Sequence, residues 1–281
     1  MEVVHNIPAL RTAVAAARRA GRTIGLVPTM GCLHEGHLAL IRQAKAETGF
    51  VVVSVFVNPT QFGPHEDFAK YPRTLEADIA GSAAAGADLV FAPATEDFYA
   101  VEPSTWVEET QVTQGLCGEF RPGHFRGVTT VVAMLFNAVQ PDVAVFGRKD
   151  LQQLAAIRRM VRDLHFPVRI VAHATVRETS GLALSSRNRY LAPEDLPAAG
   201  AIPAALDLAR ALVKAGERDA ERLRLAVRSR LESARRLQVQ YCEVVDAETL
   251  RPVKTVTPGR TVVAVACHLG STRLIDNQDL G

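Results

Sequence analysis

Residues 8–20, PALRTAVAAARRA, are strong helix formers that stop at Gly21, and the TIGLVPT that follows is short, apolar and β-branched. The pattern predicts a helix and then a strand. The same alternation recurs along the chain. Helices are expected over 36–47, 74–85, 129–139 and 150–164, with strands over 50–57, 88–92, 142–146 and 167–172. Strands this uniformly apolar are buried on both faces, and strands alternating with helices imply right-handed βαβ units and a parallel sheet. The fold class expected is α/β, with a doubly wound parallel sheet in the first half.

The rhythm changes after Ala172. Residues 177–196, RETSGLALSSRNRYLAPEDL, are polar, turn-rich and non-periodic, and two helices then precede the short strands VQYCEVVD, TVVAVACHL and TRLID. This grouping is α+β. A boundary is placed at 175, giving domains 1–175 and 176–281. A chain of 281 residues buries enough surface to fold without a staple. With 32 basic and 30 acidic side chains the net charge is +2, so no broad basic field invites nucleic acid. Cys32, Cys117, Cys242 and Cys267 show no C-x-x-C spacing, which favours a reducing compartment over a disulfide framework or zinc site. No window approaches the ~18 apolar residues of a membrane span. A cytoplasmic protein with no membrane partner is expected.

Ligands of open parallel sheets bind beyond the carboxyl ends of the strands, which directs attention to four loops. The first, PTMGCLHEGH at 28–37, leaves a strand expected to end at Val27 and enters a helix whose N-terminus favours an anion. His34 and His37 share one face and are donors suited to phosphate oxygens; the alternatives are a zinc pair or two surface histidines. Neither G-x-G-x-x-G nor a P-loop motif occurs. The second, VNPTQFG at 57–63, places the amides of Asn58 and Gln61 on the rim of the same crevice, or is merely an Asn-Pro turn. Nearby Asp78 is either a magnesium carboxylate or a solvated helix residue. The third, FGRKDLQQ at 146–153, offers Lys149 to phosphate, while Asp150 is a ligand or a helix cap. The fourth, LSSRN at 184–188, joins two hydroxyls to a guanidinium in a loop able to close over a ligand.

PTMGCLHEGH, FVNPTQFG, YPRT, RPGHFRGV, FGRKDLQQ, TVRE, GLALSSRNRYL and TRLIDN, in this order from residue 28 to 277, resemble the pantothenate synthetase (pantoate–β-alanine ligase) family. H-x-G-H alone marks only the wider nucleotidyltransferase superfamily. The resemblance implies a Rossmann-like N-terminal domain, a smaller C-terminal lid and a homodimer. The activity implied is ATP-dependent condensation of pantoate with β-alanine through an adenylate, with Mg2+ and release of AMP and pyrophosphate. By matching motifs, Met30, Gly31, Cys32, Leu33, His34, Glu35, Gly36 and His37 form the first ATP segment, with His37 as proton donor and His34 its companion. Gly147, Arg148, Lys149 and Asp150 form another, as do Leu184, Ser185, Ser186 and Arg187, and Val176 touches adenine. Gln61 and Gln153 hold pantoate, Gln61 also faces β-alanine, and Asn58 supports it. The catalytic set implied is His34, His37, Lys149 and Arg187. Arg148 stands where the family usually has an acidic residue. Ala77 precedes Asp78 where some members have a second aspartate, which weakens a metal role for that helix.

Two other readings stand beside this one, the first within the same superfamily and the second from the residues alone. One is an adenylyltransferase that leaves AMP on its product. The other is an RNA-binding module built on residues 218–236, where seven arginines face three acids. Leu223, Val227 and Leu231 form an apolar stripe there, which favours a core-docked helix with a solvated basic face. His124 is expected to make a structural hydrogen bond near the site, and His5, His165, His173 and His268 receive no role.

Overall fold

The computed structural model describes residues 1–64 and 66–281. In chain order the elements are β1 (Glu2–Val4), α1 (Ile7–Arg19), β2 (Ile24–Thr29), α2 (Glu35–Glu47), β3 (Phe50–Val55), α3 (Leu75–Ala84), β4 (Leu89–Phe91) and α4 (Thr95–Phe98). Then come α5 (Cys117–Phe120), α6 (His124–Val139), β5 (Val143–Gly147), α7 (Leu151–Asp163) and β6 (Arg169–His173). The last are α8 (Leu196–Ala199), α9 (Ala201–Lys214), α10 (Ala220–Glu232), β7 (Leu237–Asp246), β8 (Thr261–Leu269) and β9 (Thr272–Asp279). The chain divides into two compact units, 1–110 with 121–148 and 156–174, and 111–120 with 149–155 and 175–281. The segments holding Lys149, Asp150 and Gln153 thus fall in the second unit, although the sequence boundary at 175 assigns them to the first.

The first unit holds a parallel sheet of order β1-β4-β3-β2-β5-β6. The chain moves outward from β2 through β3 to β4, and β5 lies on the other side of β2, so the order reverses between β2 and β5. Ligands of doubly wound sheets bind at that reversal. Val27, Val51, Val53, Val90, Val143 and Val145 pack there against Leu40, Ile41 and Ala44 of α2, forming a core sealed from water. In the second unit, β7, β8 and β9 form an antiparallel sheet. Its inward residues, among them Val263, Val265 and Leu274, bury Leu206 of α9 and Leu223, Val227 and Leu231 of α10. The arginines of α10 therefore sit on a helix docked by its apolar stripe, as the spacing predicts.

Several boundaries differ from expectation. β1, a three-residue strand, is invisible to periodicity and exists by pairing with β4. β2 continues through Pro28 to Thr29, because Thr29 anchors to β3 through its hydroxyl, which donates to the Ser54 carbonyl at 2.7 Å. β3 stops at Val55, and the three late strands are eight to ten residues long. α6 begins at His124, not near Thr129; Gly123 at φ +80 turns the chain directly into the helix. Residues 193–214 are long and apolar enough by composition to cross a membrane, contrary to expectation. Their helix α9 turns Ile202, Ala205, Leu206, Ala209 and Val213 into the second unit's core. All four cysteines are buried free thiols, and burial pushes Cys242 and Cys267 up to about 12.

Candidate functional site

β2 delivers the chain to the histidine loop. Gly31 (φ +77) and Cys32 (φ +51) are both left-handed, and a Cβ on Gly31 would stand 2.9 Å from Asp78 Oδ2 and 3.1 Å from Val55. The bend aims two successive amides at Asp78. Its carboxylate accepts from Cys32 N at 3.0 Å and Leu33 N at 2.7 Å, with the Thr74 hydroxyl donating at 3.3 Å. Asp78 is only 2 % exposed, so the solvated helix residue expected of it is corrected to a buried anchor. Its oxygens are engaged by the protein, and no cluster of three or more His, Cys, Asp or Glu suited to a metal occurs among the described residues.

His34 caps α2 from an extended conformation, its Nδ1 accepting the Gly36 N–H at 3.1 Å. His37 lies one turn on, and its Nδ1 accepts the His34 N–H at 3.4 Å. The two rings pack with centroids 4.1 Å apart and planes inclined at 35°. With both Nδ1 atoms accepting, these hydrogen bonds assign the proton of each neutral ring to Nε2. Glu35, in the first turn of α2, is ion-paired with Arg42.

After β3, a 3₁₀ turn at Pro59–Gln61 carries the second set. Asn58 is 1 % exposed and lies beneath the rim where the sequence places it. Its Nδ2 donates to Gln61 Oε1 and to the Gly127 carbonyl, both at 3.1 Å. Its Oδ1 accepts from the Tyr99 hydroxyl at 2.8 Å and the Thr60 hydroxyl at 3.0 Å. Every polar atom of this amide is spent on holding the turn in place. Gln61 is also buried, with Nε2 directed at Met30 Sδ at 2.9 Å. Its own carbonyl accepts from His124 Nδ1 at 2.8 Å, while Arg121 Nη1 donates to His124 Nε2 at 3.0 Å. Arg121 is clasped by both oxygens of Glu66, at 2.6 and 2.5 Å. Burial raises the Glu66 carboxyl, and the hydrogen bond and charge of Arg121 outweigh it, so the net shift is downward. His124 makes the structural bond expected of it. Gly127 carries no signal in the sequence; a Cβ there would collide with the Thr60 carbonyl, so only glycine lets α6 approach this turn.

At the end of β5, Arg148 N–H donates to the His173 carbonyl at 2.9 Å. Burial and the neighbouring charge of Arg148 lower the Arg158 guanidinium from its usual value. Gly147 ends the strand before it.

In the second unit, Asp150 stands just before α7 and its carbonyl accepts the Leu154 N–H at 2.9 Å. Gln152, to which the sequence pattern assigns no role, is buried and bonds Cys117 N, Val112 O and Gly115 O. Gln153, on the next face, is half-buried, and its side chain makes no hydrogen bond among the described residues. Val176 and Leu184 pair through a 3.0 Å backbone bond, closing a hairpin whose turn reaches Gly181 at φ +86. Ser185 then caps a 3₁₀ turn, accepting the Arg187 N–H at 3.3 Å, and Ser186 and Arg187 lie in that turn.

The family model described as pantoate-beta-alanine ligase matches residues 2–279. A pantothenate synthetase of Moorella thermoacetica is 53 % identical over 277 residues, covering 99 % of this chain and 98 % of that one. The crystal structure of pantothenate synthetase from Thermus thermophilus superposes with a TM-score of 0.94 at 46 % identity, covering 100 % of this chain and 99 % of that one. A pantoate-beta-alanine ligase from Francisella tularensis, complexed with beta-gamma ATP and beta-alanine, gives a TM-score of 0.81 at 32 % identity, covering 99 % and 97 %.

Proposed function

The chain belongs to the pantoate–β-alanine ligase family, and from that premise we propose how its residues carry out the condensation. The protein is an ATP-dependent ligase that joins pantoate to β-alanine to form pantothenate. A carboxylate is a poor acyl donor because oxide would have to leave. The pantoate oxygen therefore attacks the α-phosphorus, pyrophosphate departs, and the β-alanine amine then displaces AMP from the mixed anhydride. No covalent enzyme intermediate is needed, and none of the four thiols is available, since all are buried.

The observation that supports this reading best is the histidine pair at the carboxyl end of β2. Each Nδ1 accepts a main-chain N–H, which directs the proton of a neutral ring to Nε2, the atom that this reading turns to a phosphate oxygen. Such fixed donors act where charge develops as pyrophosphate leaves. In this proposal His37 donates to the leaving group and His34 holds the phosphates, with Met30, Gly31, Cys32, Leu33, Glu35, Gly36, Gly147 and Arg148 completing the first unit's nucleotide contacts. Lys149 and Arg187 supply positive charge, Asp150, Leu184, Ser185 and Ser186 line the triphosphate, and Val176 meets adenine. Gln61 and Gln153 bind pantoate. Asn58 acts through Gln61. With its oxygens engaged, Asp78 does not fit a resident magnesium site, so magnesium enters as the nucleotide's own counter-ion. The proposal includes a homodimer in the cytoplasm, the former checked by sedimentation.

The test supplies ATP, Mg2+, β-alanine and pantoate labelled with 18O in its carboxylate. Label arriving in AMP, with a rate loss on the order of 10² to 10³ in His37→Ala, is the expected result. Label in inorganic phosphate with release of ADP would instead show an acyl phosphate and overturn the adenylate.

A further inference from the structure

The late motif TRLIDN opens β9 and closes on two adjacent buried polar residues, Asp276 and Asn277, 3 % and 8 % exposed. Successive side chains of a strand point to opposite faces, and the unbroken pairing of β9 with β8 keeps that alternation here. Asp276 shares the face of Leu274, which is part of the second unit's core. There it receives both prongs of Arg177, Nη1 to Oδ2 at 2.6 Å and Nη2 to Oδ1 at 3.0 Å. Arg177 pairs in an isolated bridge with Ala183, inside the hairpin that leads into Leu184, Ser185, Ser186 and Arg187, and its Nη1 also donates to the Gly181 carbonyl. The far end of that segment is closed by Asn188, which donates to Glu178 Oε1 at 2.7 Å and to the Ala183 carbonyl at 3.1 Å. From the opposite face of β9, Asn277 Nδ2 donates to the Lys149 carbonyl at 3.0 Å.

One edge strand thus grips the Lys149 segment and the hairpin before the Ser185–Arg187 turn, one from each face. Stability alone does not call for it, because a buried ion pair is commonly replaceable by apolar packing at little cost. A two-pronged guanidinium–carboxylate contact does fix direction. We propose that Asp276 and Asn277 are positioning residues for nucleotide binding, setting Lys149 and the Ser185–Arg187 turn in one geometry. This rests on the reading of those segments as ATP contacts. Asp276 acts through Arg177 and the hairpin, and Asn277 through the Lys149 main chain.

The test measures the three Michaelis constants, kcat and the thermal midpoint of the whole protein. Asn277→Ala is expected to reduce kcat/KM for ATP by about 10- to 100-fold, the scale of a small misplacement of a binding group, with KM for pantoate and β-alanine and the midpoint nearly unchanged. In a Lys149→Ala background the same change should cost less than about twofold, because coupled residues are non-additive. Arg177→Lys, which keeps the charge and loses the fork, should reproduce the ATP-selective loss if Asp276→Asn does not fold. Full additivity in the Lys149→Ala background, or equal rises in all three Michaelis constants with a falling midpoint, would overturn the positioning role. Failure of the unsubstituted protein to release AMP from the complete mixture would overturn the functional reading, and this inference with it.

Discussion

Replacing Asp78 distinguishes an anchor from a metal ligand. The carboxylate holds the Cys32 and Leu33 amides at 3.0 and 2.7 Å in a site closed to water. Hydrogen bonds to a charged group contribute about 1.5–3 kcal/mol each. Asp78→Ala orphans both donors, and partial hydration of the space leaves a loss of about 3 kcal/mol. At ~2–4 °C per kcal/mol for domains of this size, the melting transition of the first unit should fall by about 6–12 °C. Asp78→Asn keeps one acceptor and turns an NH2 toward the other amide, so about 2 kcal/mol is expected. Both variants should weaken ATP use, since the loop they release carries His34 and His37. The assay is a thermal melt with a magnesium titration at fixed ATP. An unchanged midpoint and ATP Michaelis constant, accompanied by a higher magnesium requirement in Asp78→Asn, would refute the anchoring argument.

Gly127→Ala places a methyl group against the Thr60 carbonyl and 2.7 Å from Gln61 N. A cost of ~1–3 kcal/mol is expected, with KM for pantoate rising more than KM for ATP; equal rises would disconnect α6 from the Asn58–Gln61 turn. In the second unit, burial raises the Asp246 carboxyl, but the Thr249 amide, the Arg260 guanidinium, the Thr249 hydroxyl and the Glu248 amide outweigh it and bring it from 3.8 to about 2. A folded value below the unfolded one adds stability that is complete above the unfolded value and lost as pH falls through the folded one. Asp246→Asn should therefore flatten the decline of the melting temperature between about pH 4 and pH 2, and a slope equal to that of the parent protein would exclude the contribution.

The parallel sheet is legible because β2, β3 and β5 are short apolar runs with glycine or proline in or beside them, so pattern and punctuation agree. The histidine loop is legible for the same reason, as its residues are contiguous and follow a strand. Legibility fails where a residue's partner is distant in the chain. Asp276 meets Arg177 across 99 positions and Asn277 meets Lys149 across 128, although an Asp-Asn pair inside a buried strand is itself a signal. Asp78 reads as an exposed helix residue because nothing in its neighbourhood announces the two amides that come to it from 45 and 46 residues away. The early start of α6 is hidden by Pro122 and Gly123, which look like a loop and serve as its entrance.

Between β2 and α2 the main chain forms a small receptacle for negative charge, of the kind that glycine-rich phosphate loops hold open for their nucleotide. Here a side chain of the protein fills it permanently. The segment bearing the imidazoles is therefore electrically complete before any substrate arrives, and its shape does not depend on one. Under the proposed function, affinity for the nucleotide would be spared the entropy of ordering that stretch, and imidazole donors would take over the task that bare amides perform in those loops.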